Sequence, residues 1–343
     1  MSEKTLHAKE DHGLEEDRQW WWIAEKKRSP RLDYLRKAVW DKGVKGVSFM
    51  PGIKADLERS WFYTQGYSEN ENDPETIRRA KAIANVYNNI PIFIIDKSQI
   101  VGYVGSAPHT LMWHSEQSFL TNESLYNDRV CIPDPEEESL RKIRDINDYW
   151  GPRSNQVRIF SILPPEDVMK YATGFIIWGV PLPGYSTIQY EYLLRNGYNG
   201  ILKMIDEKID EAQDKLYKGV PDPEDYVYYE KLEEWNSMKI VLEAAIRYAR
   251  RYSRLARILA ENFETDPKRK KELLRISETC YKVPADPPEH FWESLQFDWF
   301  NYVLGWLEVG NTWPHRPDYF HWPYYEKDVI KEKNITRDEA MEL

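Results

Sequence analysis

The chain has 343 residues, of which 41% are hydrophobic and 30% are charged, a composition that supports a buried core and is not typical of disordered proteins. Its formal net charge of −10 argues against nucleic acid as the main partner. No apolar run reaches the roughly 18 to 20 residues that a membrane span requires. The charged N-terminal residues do not resemble a secretory signal. These properties predict a cytoplasmic protein.

Cysteine and aromatic content narrow the class further. The two cysteines, Cys131 and Cys280, are too few for a disulfide framework, and neither has a second Cys or a His at metal-ligand spacing. We interpret each as a small buried apolar side chain in a reducing compartment. The 14 Trp and 23 Tyr residues indicate many large buried rings, either in a tightly packed interior or around an aromatic-lined pocket.

In chain order, the sequence predicts a flexible tail over residues 1–30 and then one helix-rich domain without repeats or linkers. Hydrophobic periodicity and helix-start residues predict the helices, whereas short apolar runs bounded by Pro or Gly predict the strands. The predicted helices cover residues 75–88, 135–150, 201–217, 237–263, 268–280 and 290–307. The predicted strands cover residues 92–95 and 100–105, and a further apolar run covers residues 174–179.

Two of these helices carry a predicted buried face. On the helix over 237–263, the apolar residues at helical spacing are Val241, Ala244, Ala245, Tyr248, Tyr252, Leu255, Ala256, Leu259 and Phe263. On the helix over 290–307, the residues expected to face inward are Trp292, Leu295, Trp299, Tyr302 and Val303. The helix over 237–263 also carries basic residues at helical spacing, namely Arg247, Arg250, Arg251, Arg254 and Arg257. These arginines have acidic neighbours, so we interpret them as a solvated helix face.

The last residues contain a helix-start pattern. Thr336 is followed three positions later by Glu339, the arrangement of a capping box, so a helix is predicted to begin seven residues before Leu343. A helix of that length is unstable without further packing. We therefore expect a truncated sequence, the alternative being a ragged tail in which the pattern occurs by chance.

Several ordered segments resemble the glycyl radical enzymes of the pyruvate formate-lyase type, and the resemblance extends over roughly residues 70 to 343. The segments are 77–82 (IRRAKA), 100–102 (IVG), 263–273 (FETDPKRKKEL), 283–296 (VPADPPEHFWESLQ), 316–328 (RPDYFHWPYYEKD) and 335–340 (ITRDEA). The fold implied is of the α/β class, a ten-stranded barrel surrounded by helices. Residues 31–343 would be its helix-rich N-terminal part.

The resemblance implies a catalytic Cys and a Gly that carries a radical, installed by an S-adenosylmethionine-dependent activase with a 4Fe-4S cluster. Neither Cys131 nor Cys280 is followed two residues later by the Glu that the family places there, and no Gly lies in an Arg-Val-x-Gly-Tyr context. The chain alone is therefore expected to be inactive. The expected partners are the activase and the missing C-terminal half or a partner subunit. The complete enzyme is expected to be a homodimer.

By the same resemblance, two regions would contact the substrate. The first contains Phe175, Trp178 and Tyr185, and many family members have His or Tyr in place of Phe175. The second contains Trp313, where several members have a substrate-binding Ser, and His315, where a Gly is usual. These aromatic replacements favour an apolar or aromatic substrate over a polyol, although core packing is the alternative role for such rings. Arg316 and Asp318 are expected to pair and fix a loop.

Among family members, the sequence most resembles the arylsuccinate and alkylsuccinate synthases, which form C–C bonds. An arylacetate decarboxylase, or another glycyl radical lyase or dehydratase, is the alternative. A metal site formed by His315, Asp318 and His321 is a weaker hypothesis, because the prolines nearby disfavour the helical turn that this spacing needs. A non-catalytic structural subunit that completes its barrel with a second polypeptide is the remaining alternative.

Overall fold

The structure is a computed structural model that describes residues 29–39, 54–107, 110–117, 137–172, 189–218, 225–310 and 316–343. The first helices are α1 (Pro30–Val39), α2 (Leu57–Ser68), α3 (Glu75–Asn89), α4 (Glu137–Trp150), α5 (Asn155–Ile162) and α6 (Pro165–Ala172). The later helices are α7 (Tyr190–Lys218), α8 (Tyr226–Asn262), α9 (Pro267–Lys282), α10 (Phe291–Val309), α11 (Pro317–Phe320), α12 (Trp322–Tyr325) and α13 (Arg337–Met341). Residues 1–28 of the predicted tail and the run over 174–179 lie outside the described residues.

The described part of the chain is helix-rich, as predicted, and capping residues explain where helices begin. At α9, Asp266 accepts a hydrogen bond from the Lys268 backbone N–H at 3.1 Å, and Pro267 occupies the first turn. At α13, the Thr336 hydroxyl accepts from the Glu339 N–H at 3.1 Å, and the Glu339 carboxylate accepts from the Thr336 N–H at 2.8 Å. The predicted capping box is therefore confirmed.

The core lies where α3, α8, α9 and α10 pack together. Small residues on α3 and α8 allow the helices to approach closely, and aromatic rings fill the space between them. The Tyr87 hydroxyl donates to the Leu304 carbonyl oxygen at 2.8 Å, which satisfies a fully buried phenol. The buried alanines of α3 and α8 are Ala80, Ala82, Ala84, Ala244, Ala245, Ala249, Ala256 and Ala260.

The predicted buried face of α8 is largely confirmed, with two corrections. Phe263 is 73% exposed, because the helix ends at Asn262 and its side chain lies beyond the packed turns. Arg251 is not on a solvated face. Its guanidinium donates to the carbonyl oxygens of Tyr87 and Ile90 at 2.8 and 2.6 Å, where it satisfies acceptors at the C-terminal end of α3.

The predicted inward face of α10 is rotated relative to the observed one. The fully buried apolar side chains are Phe297, Phe300, Val303, Leu304 and Leu307. Of the predicted set only Val303 is among them, and Trp292, Leu295, Trp299 and Tyr302 are half-buried. The polar tips of the tryptophan and tyrosine side chains explain the difference. The Trp299 indole N–H donates to the Gly102 carbonyl oxygen at 3.0 Å, at the boundary of the core.

The predicted strands over 92–95 and 100–105 are wrong. The physical reason is visible at Val101, whose backbone pairs with the side chain of Gln296 and not with a neighbouring strand. The Val101 N–H donates to Gln296 Oε1 at 2.8 Å, and Gln296 Nε2 donates to the Val101 carbonyl oxygen at 2.7 Å. A side-chain amide thus replaces a strand ladder and anchors an extended segment to α10.

The strands of the described residues are β1 (Lys54–Asp56) and β2 (Thr110–Met112), which pair in parallel with Lys54 opposite Thr110. Gly197 interrupts α7 with a φ of 62°. A Cβ there would lie 2.6 Å from the Ala285 carbonyl oxygen, so the close approach of the two segments requires glycine. None of the helices within the described ranges is both long and apolar enough to cross a membrane.

Candidate functional site

The predicted substrate residues Phe175, Trp178, Tyr185, Trp313 and His315 lie outside the described residues. The structure does describe what flanks the second of these regions, residues 311–315, which the family resemblance predicts to be a loop. On one side the loop follows the C-terminal end of α10, and on the other it precedes α11. These two flanks define the candidate functional site.

A buried arginine holds the C-terminal end of α10. Arg59, from α2, is fully buried, and its guanidinium donates to the carbonyl oxygens of Leu307 and Glu308, both at 2.9 Å. The same guanidinium donates to the Glu116 carboxylate at 2.7 Å. A cation at this end of a helix satisfies free carbonyls and complements the helix dipole. Arg59 therefore fixes where the 311–315 loop departs.

Gly310 ends α10 in a left-handed conformation, with a φ of 68°. A Cβ at this position would lie 2.7 Å from the His114 ring, so both the conformation and the close approach require glycine. Burial, assisted by the Arg59 charge, lowers the pKa of His114 well below its ordinary value. Nε2 of this neutral ring lies 3.2 Å from the Trp306 carbonyl oxygen. Because a carbonyl oxygen can only accept, Nε2 carries the proton and donates a hydrogen bond to it.

After the loop, Arg316 and Asp318 form a bidentate ion pair with distances of 3.0 and 2.8 Å, the pairing that the sequence predicts. Both side chains are exposed, at 74% and 66%. An ion pair this exposed contributes little to the stability of the fold. It lies at the rim of a cavity of about 590 Å³ between α7 and the α11–α12 segment. The cavity is lined mainly by Leu194, Phe320, Trp322, Pro323 and Tyr324.

Beneath this cavity, a buried polar network holds the turn between α11 and α12. His321 is 4% exposed, and its Nε2 lies 3.1 Å from Asp298 Oδ2. Its Nδ1 lies 3.2 Å from Ser294 Oγ, which in turn donates to the Phe291 carbonyl oxygen at 2.8 Å. Burial raises the pKa of the neighbouring Tyr190, and Asp298 raises it further, so Tyr190 stays protonated.

Asp328 anchors the same segment to the N-terminal end of α10. Its carboxylate accepts hydrogen bonds from the Phe291 N–H at 2.6 Å and from Asn334 Nδ2 at 2.8 Å, and it lies 3.1 Å from His290 Nδ1. Burial alone would raise the pKa of Asp328, but these hydrogen bonds outweigh burial and lower it. Asp328 is the last residue of the segment 316–328 that carries the family resemblance. Its hydrogen bonds give this acidic residue a structural role.

The hypothesis of a metal site at His315, Asp318 and His321 receives no support. Asp318 pairs with Arg316 at the surface, whereas His321 pairs with Asp298 in the interior. These two side chains therefore do not share a site. Within the described ranges, no group of three His, Cys, Asp or Glu residues is arranged to hold a metal ion.

Cys280 is a buried side chain of α9, as its interpretation from sequence requires, and Cys131 lies outside the described residues. Burial strongly raises the pKa of the Cys280 thiol, so it is held in its less reactive protonated form. It does not line any of the cavities described here. Cys280 therefore has neither the exposure nor the surroundings of a reactive thiol.

Sequence reasoning missed the residues that hold both flanks of the loop. Asp328 lies in a segment that carries the family resemblance, so the resemblance was a signal that its role is shared. Arg59 and Glu116 carried no local signal. Glu116 lies 57 residues from Arg59 in sequence, and Leu307, whose carbonyl Arg59 also binds, lies 248 residues away. Only the tertiary structure brings them together.

Comparison with known proteins identifies the family of the chain. The sequence profile of the "Pyruvate formate lyase-like" family matches residues 21–343. The chain is similar to (2S)-3-sulfopropanediol dehydratase of Klebsiella oxytoca, with 29% identity over 333 residues that cover 92% of the chain and 37% of the relative. It is also similar to isethionate sulfite-lyase of Nitratidesulfovibrio vulgaris, with 31% identity over 314 residues that cover 84% of the chain and 36% of the relative.

Among solved structures, the fold is similar to one described for 1,2-propanediol dehydration in Roseburia inulinivorans. The TM-score is 0.76 at 30% sequence identity, and the match covers 92% of the chain and 36% of that structure. The chain thus spans little more than a third of the length of the relatives it matches. From the profile match across most of its length, together with these likenesses, the chain belongs to the pyruvate formate lyase-like family of glycyl radical enzymes.

Proposed function

We propose that the chain forms the N-terminal part of a glycyl radical enzyme that eliminates water or sulfite from a small substrate. The observation that carries this proposal is the similarity over 92% of the chain to a dehydratase, together with the likeness to a sulfite-lyase. These relatives support the lyase or dehydratase alternative better than the arylsuccinate or alkylsuccinate synthase interpretation. The ten-stranded barrel of the complete protein is part of the same proposal.

In this proposal, the chain holds both ends of the substrate loop that is predicted over residues 311–315. Arg59 fixes its departure and Asp328 fixes the segment that follows it. When present, the glycyl radical and the catalytic Cys supply hydrogen-atom abstraction from the substrate, and Cys280 cannot take that part because it is enclosed in the core. Within this proposal a radical activase installs the radical, and the complete enzyme acts as a cytoplasmic homodimer.

The substrate pocket remains a prediction from sequence. Phe175, Trp178 and Trp313 favour an apolar or aromatic substrate, whereas the named relatives act on small polar molecules. Replacing Trp313 with Ser, the residue that several family members have there, distinguishes the two possibilities. If Trp313 lines the pocket, Trp313→Ser raises activity on a small diol relative to a larger substrate by about tenfold.

The experiment is an activity survey on the full-length gene product, activated anaerobically by its activase. The substrates are 1,2-propanediol, isethionate and (2S)-3-sulfopropanediol, and an aromatic hydrocarbon with fumarate, the pair needed to form an arylsuccinate. We expect propanal from 1,2-propanediol, sulfite from isethionate, or loss of water from the sulfonate diol. An arylsuccinate as the sole product contradicts the proposal and restores the synthase interpretation. The same mixture without activase is the control.

A non-catalytic structural role is the second candidate. It is favoured by exposed rings at the α11–α12 segment, where Tyr319 is 62% exposed and Trp322 is 51% exposed. A full-length frame or partner gene that lacks both the Cys-x-Glu and the Arg-Val-x-Gly-Tyr segments, with no product from any substrate, supports this role over the enzymatic one.

A further inference from the structure

A second cavity, which adjoins the C-terminal end of α10 through Glu308, lies between α3, α7 and α8. Its volume is about 550 Å³, which falls within the range of about 300 to 1,000 Å³ typical of small-molecule pockets. Most of its wall is apolar, with both aliphatic and thioether side chains. The principal apolar residues are Ile83, Leu193, Ile201, Ile205, Met238 and Leu242.

One end of this cavity is polar and carries both signs of charge. The solvent-exposed side chains of Arg79 and Glu308 line it together with Tyr63. The Arg79 guanidinium donates a hydrogen bond to the Tyr63 hydroxyl. The Tyr63 ring is 4% exposed and packs 4.4 Å beneath the Arg59 guanidinium, so the phenol that orients Arg79 is itself held in place.

Glu308 is positioned by its own backbone. Its carbonyl oxygen accepts from Arg59 at 2.9 Å, which fixes the last turn of α10 while the side chain reaches the cavity. Glu308 is exposed to solvent at the cavity, where desolvation raises the pKa of its carboxyl group against the lowering effects of Arg79 and Arg59. A carboxylate at this place can accept a hydrogen bond from a bound polar group.

The chemistry of the two ends defines a ligand. A guanidinium recognises a carboxylate through two parallel N–H donors, and the neighbouring Glu308 requires a hydrogen-bond donor on the ligand. Apolar walls accept a hydrocarbon body. We infer that this cavity binds a 2-hydroxy or 2-amino carboxylic acid with an apolar side chain. Arg79 would hold the carboxylate, Glu308 the hydroxyl or ammonium group, and the helices α7 and α8 the side chain.

This inference goes beyond the proposed function, because it uses only side chains of the described helices and no radical chemistry. It can therefore be tested on the full-length gene product without activation, and its failure would leave the proposed function unaffected. Conversely, a full-length enzyme with no lyase activity would leave the binding site intact.

The test is equilibrium dialysis of the purified full-length gene product, not activated, against labelled L-leucine and, separately, labelled 2-hydroxy-4-methylpentanoate, with 4-methylpentanol as a probe that lacks the carboxylate. Saturable binding of at least one acid is expected, with no saturable binding of the alcohol. Arg79→Gln is expected to weaken acid binding about tenfold or more. The matched control is Arg254→Gln, because Arg254 is exposed on α8 and does not line the cavity.

A second variant keeps the test decisive if Arg79→Gln fails to fold. Glu308→Gln keeps a hydrogen-bonding group but removes the charge, so it is expected to weaken L-leucine binding by several-fold more than hydroxy-acid binding. Equal affinities in the original full-length product, Arg79→Gln and Arg254→Gln, each shown to be folded by circular dichroism, would overturn the assignment. So would a complete lack of saturable binding by either acid to the unmodified product.

Discussion

The two ends of α10 are held by opposite charges. At the N-terminal end, the carboxylate of Asp328 accepts from the Phe291 N–H, and the carboxylate of Glu293 accepts from the Glu289 N–H at 2.7 Å. At the C-terminal end, the guanidinium of Arg59 donates to the carbonyls of Leu307 and Glu308. Each charge complements the helix dipole and the free backbone groups at its own end.

The side chains of Asp328 and Arg59 are both fully buried, so the difference lies in where their partners come from and in how each charge is compensated. Asp328 comes from downstream, and its carboxylate is held by the neutral donors Phe291 N–H and Asn334 Nδ2 and by His290. Arg59 comes from upstream and is fully buried with Glu116 as its counter-ion. Losing the guanidinium would leave a carboxylate and two carbonyls without their donor. The C-terminal end, where the 311–315 loop departs, is therefore the more fragile of the two.

Arg59→Met is the most severe way to break this arrangement. We expect the free energy of unfolding to fall by about 3–5 kcal/mol, because one partner of a buried charged pair is removed. Urea unfolding monitored by circular dichroism measures the change, with Arg254→Met on the exposed face of α8 as the matched control. Adding Glu116→Gln to Arg59→Met should recover part of the loss. A loss below about 1 kcal/mol would mean that Arg59 does not hold the helix end.

Asp328→Asn tests the N-terminal end and is expected to cost about 2 kcal/mol at pH 7, the range for a hydrogen bond to a charged group. The folded state lowers the pKa of Asp328, so its contribution is present above the usual carboxyl pKa and is lost as the pH falls through the folded value. The gap between original chain and variant should therefore narrow below about pH 4. Unfolding curves at pH 7 and at lower pH measure it, and a gap that does not change with pH contradicts this account.

Arg316→Gln should have the smallest effect. The pair with Asp318 is exposed and screened by solvent, so only a small shift of the melting temperature is expected. Thermal unfolding at low and high salt measures this, with a small difference at low salt that disappears at high salt. A large loss at both salt concentrations would show that this pair, and not the buried network of His321, holds the segment after the loop.

Local sequence signals predicted part of the helices: α7 and α8 begin eleven residues earlier than predicted, and α2, α5, α6, α11 and α12 were not predicted. Asp266-Pro267 before α9 and Thr336 with Glu339 before α13 act within a few residues, so the chain alone specifies them. The strand over 100–105 failed because an apolar run looks the same whether its partner is a strand or the Gln296 side chain. The predicted face of α10 was rotated relative to the observed one, because half-buried Trp and Tyr rings count as apolar in a sequence pattern.

The candidate site was only partly predictable. The Arg316–Asp318 pair is local and was expected from sequence, but the anchors Arg59 and Asp328 depend on contacts across 248 and 37 residues. No periodic pattern encodes such contacts. The predicted substrate residues, among them Phe175 and Trp313, stay predictions, and the resemblance alone selects them.

The most direct test of the central claim is electron paramagnetic resonance of the full-length product after anaerobic treatment with its activase and S-adenosylmethionine. A chain that is the N-terminal part of a glycyl radical enzyme predicts an organic-radical doublet, which disappears when the glycine of the Arg-Val-x-Gly-Tyr segment is replaced by alanine. Absence of this signal from a folded, full-length product, treated with an activase that generates the radical on a known substrate enzyme, would contradict the claim.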